Sequence, residues 1–188
     1  MACYHDNMKF FLFLIASMCG LFTYASDLDM FGLKGPVDSV CIVMNDAGLE
    51  WQTEFTFDEN GLLVEIDGVE VTCERDVKGR MTSITVEEAV EDDEDSYTTI
   101  NMTIAYTPSG RVSKVTASSG DEVWTQTYSY DTDGLLKELI YDSTEDKEVQ
   151  QYTYMKFDEY GNWTQRQEKL QSMDRTVTQT RNITYIDK

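Results

Sequence analysis

The chain has 188 residues, enough for one domain with a substantial core and too few for two comfortable ones. It carries 15 Lys and Arg against 35 Asp and Glu, a formal net charge of -20. That balance repels polyanions, and the basic residues are scattered singly, so nucleic acid, which is bound by basic patches that displace phosphate counterions, is excluded as a partner.

Residues 1–25 read as a signal peptide: Met8-Lys9 supplies a start and a positive charge, Phe10 to Ile15 is an apolar run, and Thr23 and Ala25 are small residues before a cut. The mature chain then begins at Ser26. From Phe10 to Ala25 the segment is shorter than the roughly 20 residues of a spanning helix, so no membrane span is expected in the mature chain. Lipidation at Cys19 is not expected either, because Ala16-Ser17-Met18 lacks a Leu three places back and a small residue directly before the cysteine. The expected destination is the periplasm, the cell surface or the medium. Cleavage removes one Lys and one Asp, so the mature chain keeps the charge of -20. It also removes the only histidine, His5, and with it any imidazole chemistry. Cys41 and Cys73 remain, and in an oxidising compartment they admit either one disulfide or two thiols packed as small hydrophobes.

Residues 26–36, ending in Gly35-Pro36, form a lead-in, and residues 37–188 form a single β domain organised by an internal repeat. Five segments align on a glycine: Phe57-Asp-Glu-Asn-Gly61, Arg75-Asp-Val-Lys-Gly79, Tyr106-Thr-Pro-Ser-Gly110, Tyr130-Asp-Thr-Asp-Gly134 and Phe157-Asp-Glu-Tyr-Gly161. The leading residue is aromatic in four of them, and Asp58, Asp76, Asp131 and Asp158 take second place. An Asp side chain there can accept from the backbone two residues on, while Gly three places later takes the left-handed conformation. Type I turns closed by a Gly bulge are therefore expected at Gly61, Gly79, Gly110, Gly134 and Gly161.

Before each glycine, apolar residues recur at every second place, as in Ile100, Met102, Ile104, Tyr106, with Thr99, Asn101 and Thr103 between them. Two past each glycine stands Leu63, Met81, Val112, Leu136 or Trp163, on the face of the leading aromatic residue. Ile66, Ile84, Val115 and Leu139 lie three further on, an odd step that requires either a bulge or two partly buried faces. Glu168 to Asp174 is the nearest thing to a helical segment, and its Thr-rich flanks favour a strand pair instead. The expected fold is all-β: an antiparallel meander of repeated hairpins, about ten or eleven strands, curled into a barrel or half-shell to cover its apolar face.

Tyr128-Ser-Tyr-Asp-Thr-Asp-Gly-Leu-Leu-Lys-Glu and Phe157-Asp-Glu-Tyr-Gly-Asn-Trp-Thr resemble YD repeats, also called RHS repeats, of bacterial exported and cell-surface proteins, over about residues 50–170. In large members the repeats resemble a coiling sheet that forms a shell around a toxin domain. This chain is too short to enclose one. The resemblance implies the hairpin architecture and points to small exported bacterial proteins, and it does not imply the shell function.

Asp58-Glu-Asn-Gly61 and Asp131-Thr-Asp-Gly134 match the opening of a calcium loop, but Val69 and Asp142 stand where its bidentate Glu belongs. Turn chemistry accounts for both, and no metal or cofactor is expected. Seven acids in nine residues, Glu87 to Asp95, read as a solvated hairpin tip, with weak divalent-cation binding as the lesser alternative. Trp124, Tyr128, Tyr130, Tyr152, Tyr154 and Trp163 fit either a core or a platform for stacking sugars. No nucleophile elbow, phosphate loop or Cys/His metal motif occurs. The expected function is a non-catalytic exported module that binds a protein or glycan or serves a structural role. The alternatives are a carboxylate-dependent glycan hydrolase and a small outer-membrane barrel.

Overall fold

This computed structural model describes residues 26–46, 48–90 and 93–186, leaving aside the side chains of 88–90 and 93–98. Residues 1–25, which read as the signal peptide, lie outside the described residues, as do Glu91 and Asp92 of the acidic tip. The alternating segments build thirteen strands in one antiparallel sheet. They are β1 (Val37–Asp46), β2 (Leu49–Phe57), β3 (Leu63–Ile66), β4 (Val69–Glu70), β5 (Thr72–Arg75), β6 (Met81–Val90) and β7 (Asp93–Tyr106). They continue with β8 (Val112–Ser119), β9 (Glu122–Tyr130), β10 (Leu136–Ser143), β11 (Lys147–Phe157), β12 (Trp163–Leu170) and β13 (Arg175–Tyr185). Residues 168–174 are the end of β12 and the turn into β13, with no helix there. Among the described residues no helix is long and apolar enough to cross a membrane.

The order β4-β3-β2-β1-β13-β12-β11-β10-β9-β8-β7-β6-β5 pairs the first long strand with the last. The two edges, β4 and β5, are joined through Val71 alone. Strand direction alternates around the ring, so β4 and β5 run the same way, the first paired with β3 and the second with β6. A nearly closed barrel results. The count of thirteen corrects the expected ten or eleven. The stretch between Gly61 and Asp76 is folded once more on itself at Asp67-Gly68, whose φ values of 51° and 78° belong to a two-residue hairpin turn.

The five repeat turns lie at one end of the barrel. Asp58 accepts from the backbone N–H of Asn60 at 2.9 Å and of Leu62 at 2.8 Å, and Gly61, at φ 74°, donates to the Asp58 carbonyl. Asp76, Asp131 and Asp158 repeat both side-chain contacts. In the third repeat Thr107 Oγ1 replaces the carboxylate and takes the Arg111 N–H. Just past each turn the pairing skips one residue: Val64, Thr82, Ser113, Lys137 and Thr164. These bulges supply the odd step, so Leu63 and Ile66, or Leu136 and Leu139, both face inward.

The lead-in caps the turn end. A 3-10 turn at Asp27–Asp29, with Ser26 accepting from the Leu28 N–H, starts a segment that buries Met30, Phe31 and Leu33. The Phe31 ring lies 5.2 Å from both Phe55 and Phe57. Apolar side chains from β1 to β8 fill the interior behind it. The inward positions of β9 to β13 mix apolar side chains of the same core, such as Trp124, Leu136, Leu139 and Tyr152, with the buried polar groups Gln126, Glu148, Gln150, Arg166, Glu168, Gln179 and Arg181.

Candidate functional site

The polar wall begins with one departure from the repeat. Five places past the glycine, four repeats carry Ile66, Ile84, Val115 and Leu139, all buried, and the fifth carries Arg166, 0% exposed. Its guanidinium carbon lies 4.2 Å from the ring centroids of both Tyr152 and Trp163, whose electron-rich faces partly replace lost hydration. Nε donates to Gln179 Oε1 at 2.7 Å, and Nη1 reaches the Tyr154 hydroxyl at 3.5 Å. Register brings these groups together, since Arg166 pairs with Tyr154 on one side and Gln179 on the other.

Gln179 extends the network by donating through Nε2 to Glu168. Burial pushes the Glu168 carboxyl up to about 7. Arg166 opposes that shift, Glu148 adds to it, and the Gln179 hydrogen bond opposes it. Glu148 is held differently, accepting from the N–H groups of Val149 and Ser172 and from the Ser172 hydroxyl. Arg181 lies 3.8 Å from Trp163 and donates to the Phe31 carbonyl at 2.9 Å, which ties the wall to the lead-in. A local motif recurs on two strands: Tyr128 donates to Gln126 and Tyr152 to Gln150, two residues back in each case.

The rings take the core alternative, and the open stacking platform is corrected. Curling of the sheet turns Trp124, Tyr128, Tyr152 and Trp163 inward, with Tyr130 and Tyr154 half-buried against the core. Tyr106, Tyr130 and Tyr154 each donate to a backbone carbonyl of the preceding repeat, at Met81, Val112 and Leu136. Arg80 and Arg111, directly after their glycines, lie over Tyr106 and Tyr130. The disulfide is also corrected. Cys41 and Cys73 are free, because Cys41 sits between inward-facing Val40 and Ile42 on β1 while Cys73 on β5 packs against the core. Among the described residues no group of three or more Cys, His, Asp and Glu is arranged to hold a metal.

The position of Arg166 is readable by extending the repeat alignment one apolar place further, where an arginine interrupts four hydrophobes. Gln179 and Glu168 carry no such signal, since only strand pairing brings them to it. No protein-family model and no curated protein matches the chain. Among solved structures, it is similar to a porin-like protein from Bacteroides vulgatus ATCC 8482, at 11% identity and a TM-score of 0.42, over 82% of this chain and 100% of that one.

Proposed function

We propose that this chain is a non-catalytic exported β-repeat module that acts at the cell envelope or outside the cell, in a structural role or as a binder of a protein or glycan. One observation carries the reading: the barrel is filled and capped, and its outward face is polar. Outward positions read Thr99, Asn101, Thr103 on β7, Thr125, Thr127, Ser129 on β9, Gln165, Gln167, Lys169 on β12 and Thr176, Thr178, Thr180, Asn182, Thr184 on β13. A membrane barrel requires the reverse, an apolar outer band about 25 Å tall. The hydrolase alternative also loses support. Glu148 and Glu168 form a pair of carboxyls in unlike settings, but each is 2% exposed, and a catalytic acid must reach the glycosidic oxygen of its substrate.

The test is purification without detergent, followed by co-sedimentation with insoluble polysaccharides and envelope fractions and an assay for released reducing sugar. A monodisperse protein that sediments with one fraction and releases no sugar is the expected result. Recovery only in detergent, or sugar release, would overturn the reading.

A further inference from the structure

One edge of β2 is paired along most of the strand and the other is not. Beside β1 the ladder runs from Leu49 to Thr56. On the opposite side β3 pairs only with Phe55, Thr56 and Phe57. Glu54 marks where that second ladder stops: its N–H donates to Asp67 Oδ1 at 2.7 Å, and its carbonyl accepts the Asp67 N–H at 2.8 Å. Backbone groups of a strand alternate between its two edges. The N–H and C=O of Gln52 and Glu50, in step with Glu54, therefore point away from β1. No strand of the described residues meets them there, because β1 and β3 are the only neighbours of β2, and across the seam β5 pairs with β6 only as far as Thr85. Leu49 is 62% exposed, and Glu50, Gln52 and Glu54 are exposed with it. A free edge is ordinarily guarded by Lys, Pro or a bulge. Leu49 to Glu54 has none of these.

We propose that this edge of β2 takes up an extended, cationic segment of a partner protein as an added antiparallel strand, hydrogen-bonded to Glu50 and Gln52. The inference rests on the reading of the chain as a binder and gives its partner a class. Main-chain pairing supplies the attachment, and the charge around the edge selects the segment. Glu50 and Glu54 lie on the outward face of β2, with Asp67 where the ladder ends, Glu70 on β4 and Glu87 on β6, all exposed. β2, β3, β4 and β6 contain no Lys or Arg.

Residues opposite one another in an antiparallel ladder share a face. The added strand accordingly sets Lys or Arg beside Glu50, Gln52 and Glu54. Its alternate residues fall on the face of half-buried Trp51 and buried Thr53 and should be apolar. A second copy of this chain fits poorly: two β2 edges paired about Gln52 would set Glu50 against Glu54, between molecules of net charge -20.

The probe is a capped six-residue peptide alternating Lys and Val, titrated into the full chain while amide hydrogen exchange is followed by NMR. Without peptide, the amides of Glu50 and Gln52 should exchange fast, and those of Trp51 and Thr53, which face β1, slowly. Bound peptide should slow Glu50 and Gln52, and binding should weaken with added salt. N-methylation of the peptide's lysines removes the N–H groups that face β2 and should weaken binding about tenfold or more, as expected for two lost hydrogen bonds. A peptide alternating Glu and Val should not bind. Q52P removes the protein's own donor at the open edge while leaving the pairing with β1 intact, and should weaken binding to a similar degree. E50K/E54K, which changes side chains alone, keeps the test valid if Q52P does not fold, and should lose the Lys peptide. Absence of binding, equal binding of the N-methylated peptide, or protection of Glu50 and Gln52 by dimerisation without peptide would overturn strand addition and leave co-sedimentation with envelope fractions untouched. Recovery of the chain only in detergent would instead overturn the reading beneath it.

Discussion

Arg75 donates through both terminal nitrogens to the carboxylate of Asp27, at 2.5 and 2.6 Å, across 48 residues of sequence. The same carboxylate accepts the Leu63 N–H at 2.8 Å. Arg75 stands where the other four repeats carry Phe57, Tyr106, Tyr130 and Phe157, so a break in the repeat is what anchors the lead-in. The contact falls where the sheet is not laddered: β3 and β5 are not neighbours in the sheet, and Asp27 bridges the start of one to the end of the other.

Asp27 is 3% exposed and Arg75 23%, so cutting the pair leaves a mostly buried cation without its partner. Asp27→Ala should cost about 3 kcal/mol in urea unfolding, and Asp27→Asn less, because its amide oxygen can still accept from Leu63. Hydrogen exchange should show β3 and β5 losing protection before β12. Uniform loss across the sheet would show that the seam has no special dependence on the lead-in.

Gly61 and Gly110 test the cap from the other side. Both have positive φ, 74° and 92°. A Cβ at Gly110 would meet nothing within 4 Å, whereas one at Gly61 would lie 2.6 Å from Ser26 Oγ and 2.9 Å from Leu28 Cδ1. Gly110→Ala should therefore cost only the left-handed penalty of about 1–2 kcal/mol. Gly61→Ala should cost more and should expose residues 26–34 to proteolysis. Equal costs would mean that the lead-in does not press on the turn.

These contrasts show which features a sequence can carry. The turn at Asp131 to Gly134 closes through bonds spanning two to four residues, so its residue types announce it. The bulge at Lys137 leaves a visible break in alternation, but two faces of a strand break it equally well, and only pairing decides. Asp67-Gly68 is a local signal too, hidden because the stretch from Gly61 to Asp76 reads as one strand and its return. The Asp27–Arg75 pair and the Arg166–Gln179–Glu168 chain are long-range, and nothing local to Asp27 or Gln179 marks them. The aromatic residues are legible as one face, while the choice between core and platform depends on closure of the barrel by β1 with β13.

The thiols give a third prediction. Burial, followed by the Asp27 charge, pushes the Cys73 thiol up to about 11 against the opposing effect of Arg75. Burial and the acids Glu54, Asp67 and Glu50 raise that of Cys41. The thiolate is the reactive form, so both cysteines should resist alkylation at pH 8 until the chain unfolds. Reductant should leave the urea midpoint unchanged. A cross-link between Cys41 and Cys73 formed in the native protein would contradict their placement on β1 and β5.

Glu168 makes stability depend on pH in a direction opposite to that of a salt-bridged acid. Its carboxyl is raised from 4.5 to about 7, so between those values the folded chain holds a proton that the unfolded chain has released. Unfolding free energy therefore falls as pH rises through that window, and the contribution of protonated Glu168, on the order of 3 kcal/mol, is fully present below pH 4.5 and spent above 7. Asp67, raised mainly by burial, adds a slope of the same sign, while Asp58 and Asp76, lowered by hydrogen bonds at their turns, act below their ordinary value of 3.8. Comparison with Glu168→Gln isolates the buried group, because Gln keeps an acceptor for Gln179 and cannot ionise. The wild type should lose stability relative to this variant between pH 5 and pH 8, measured by urea unfolding at each pH. Parallel profiles would mean that Glu168 is ionised throughout, and that Arg166 has its counter-charge after all.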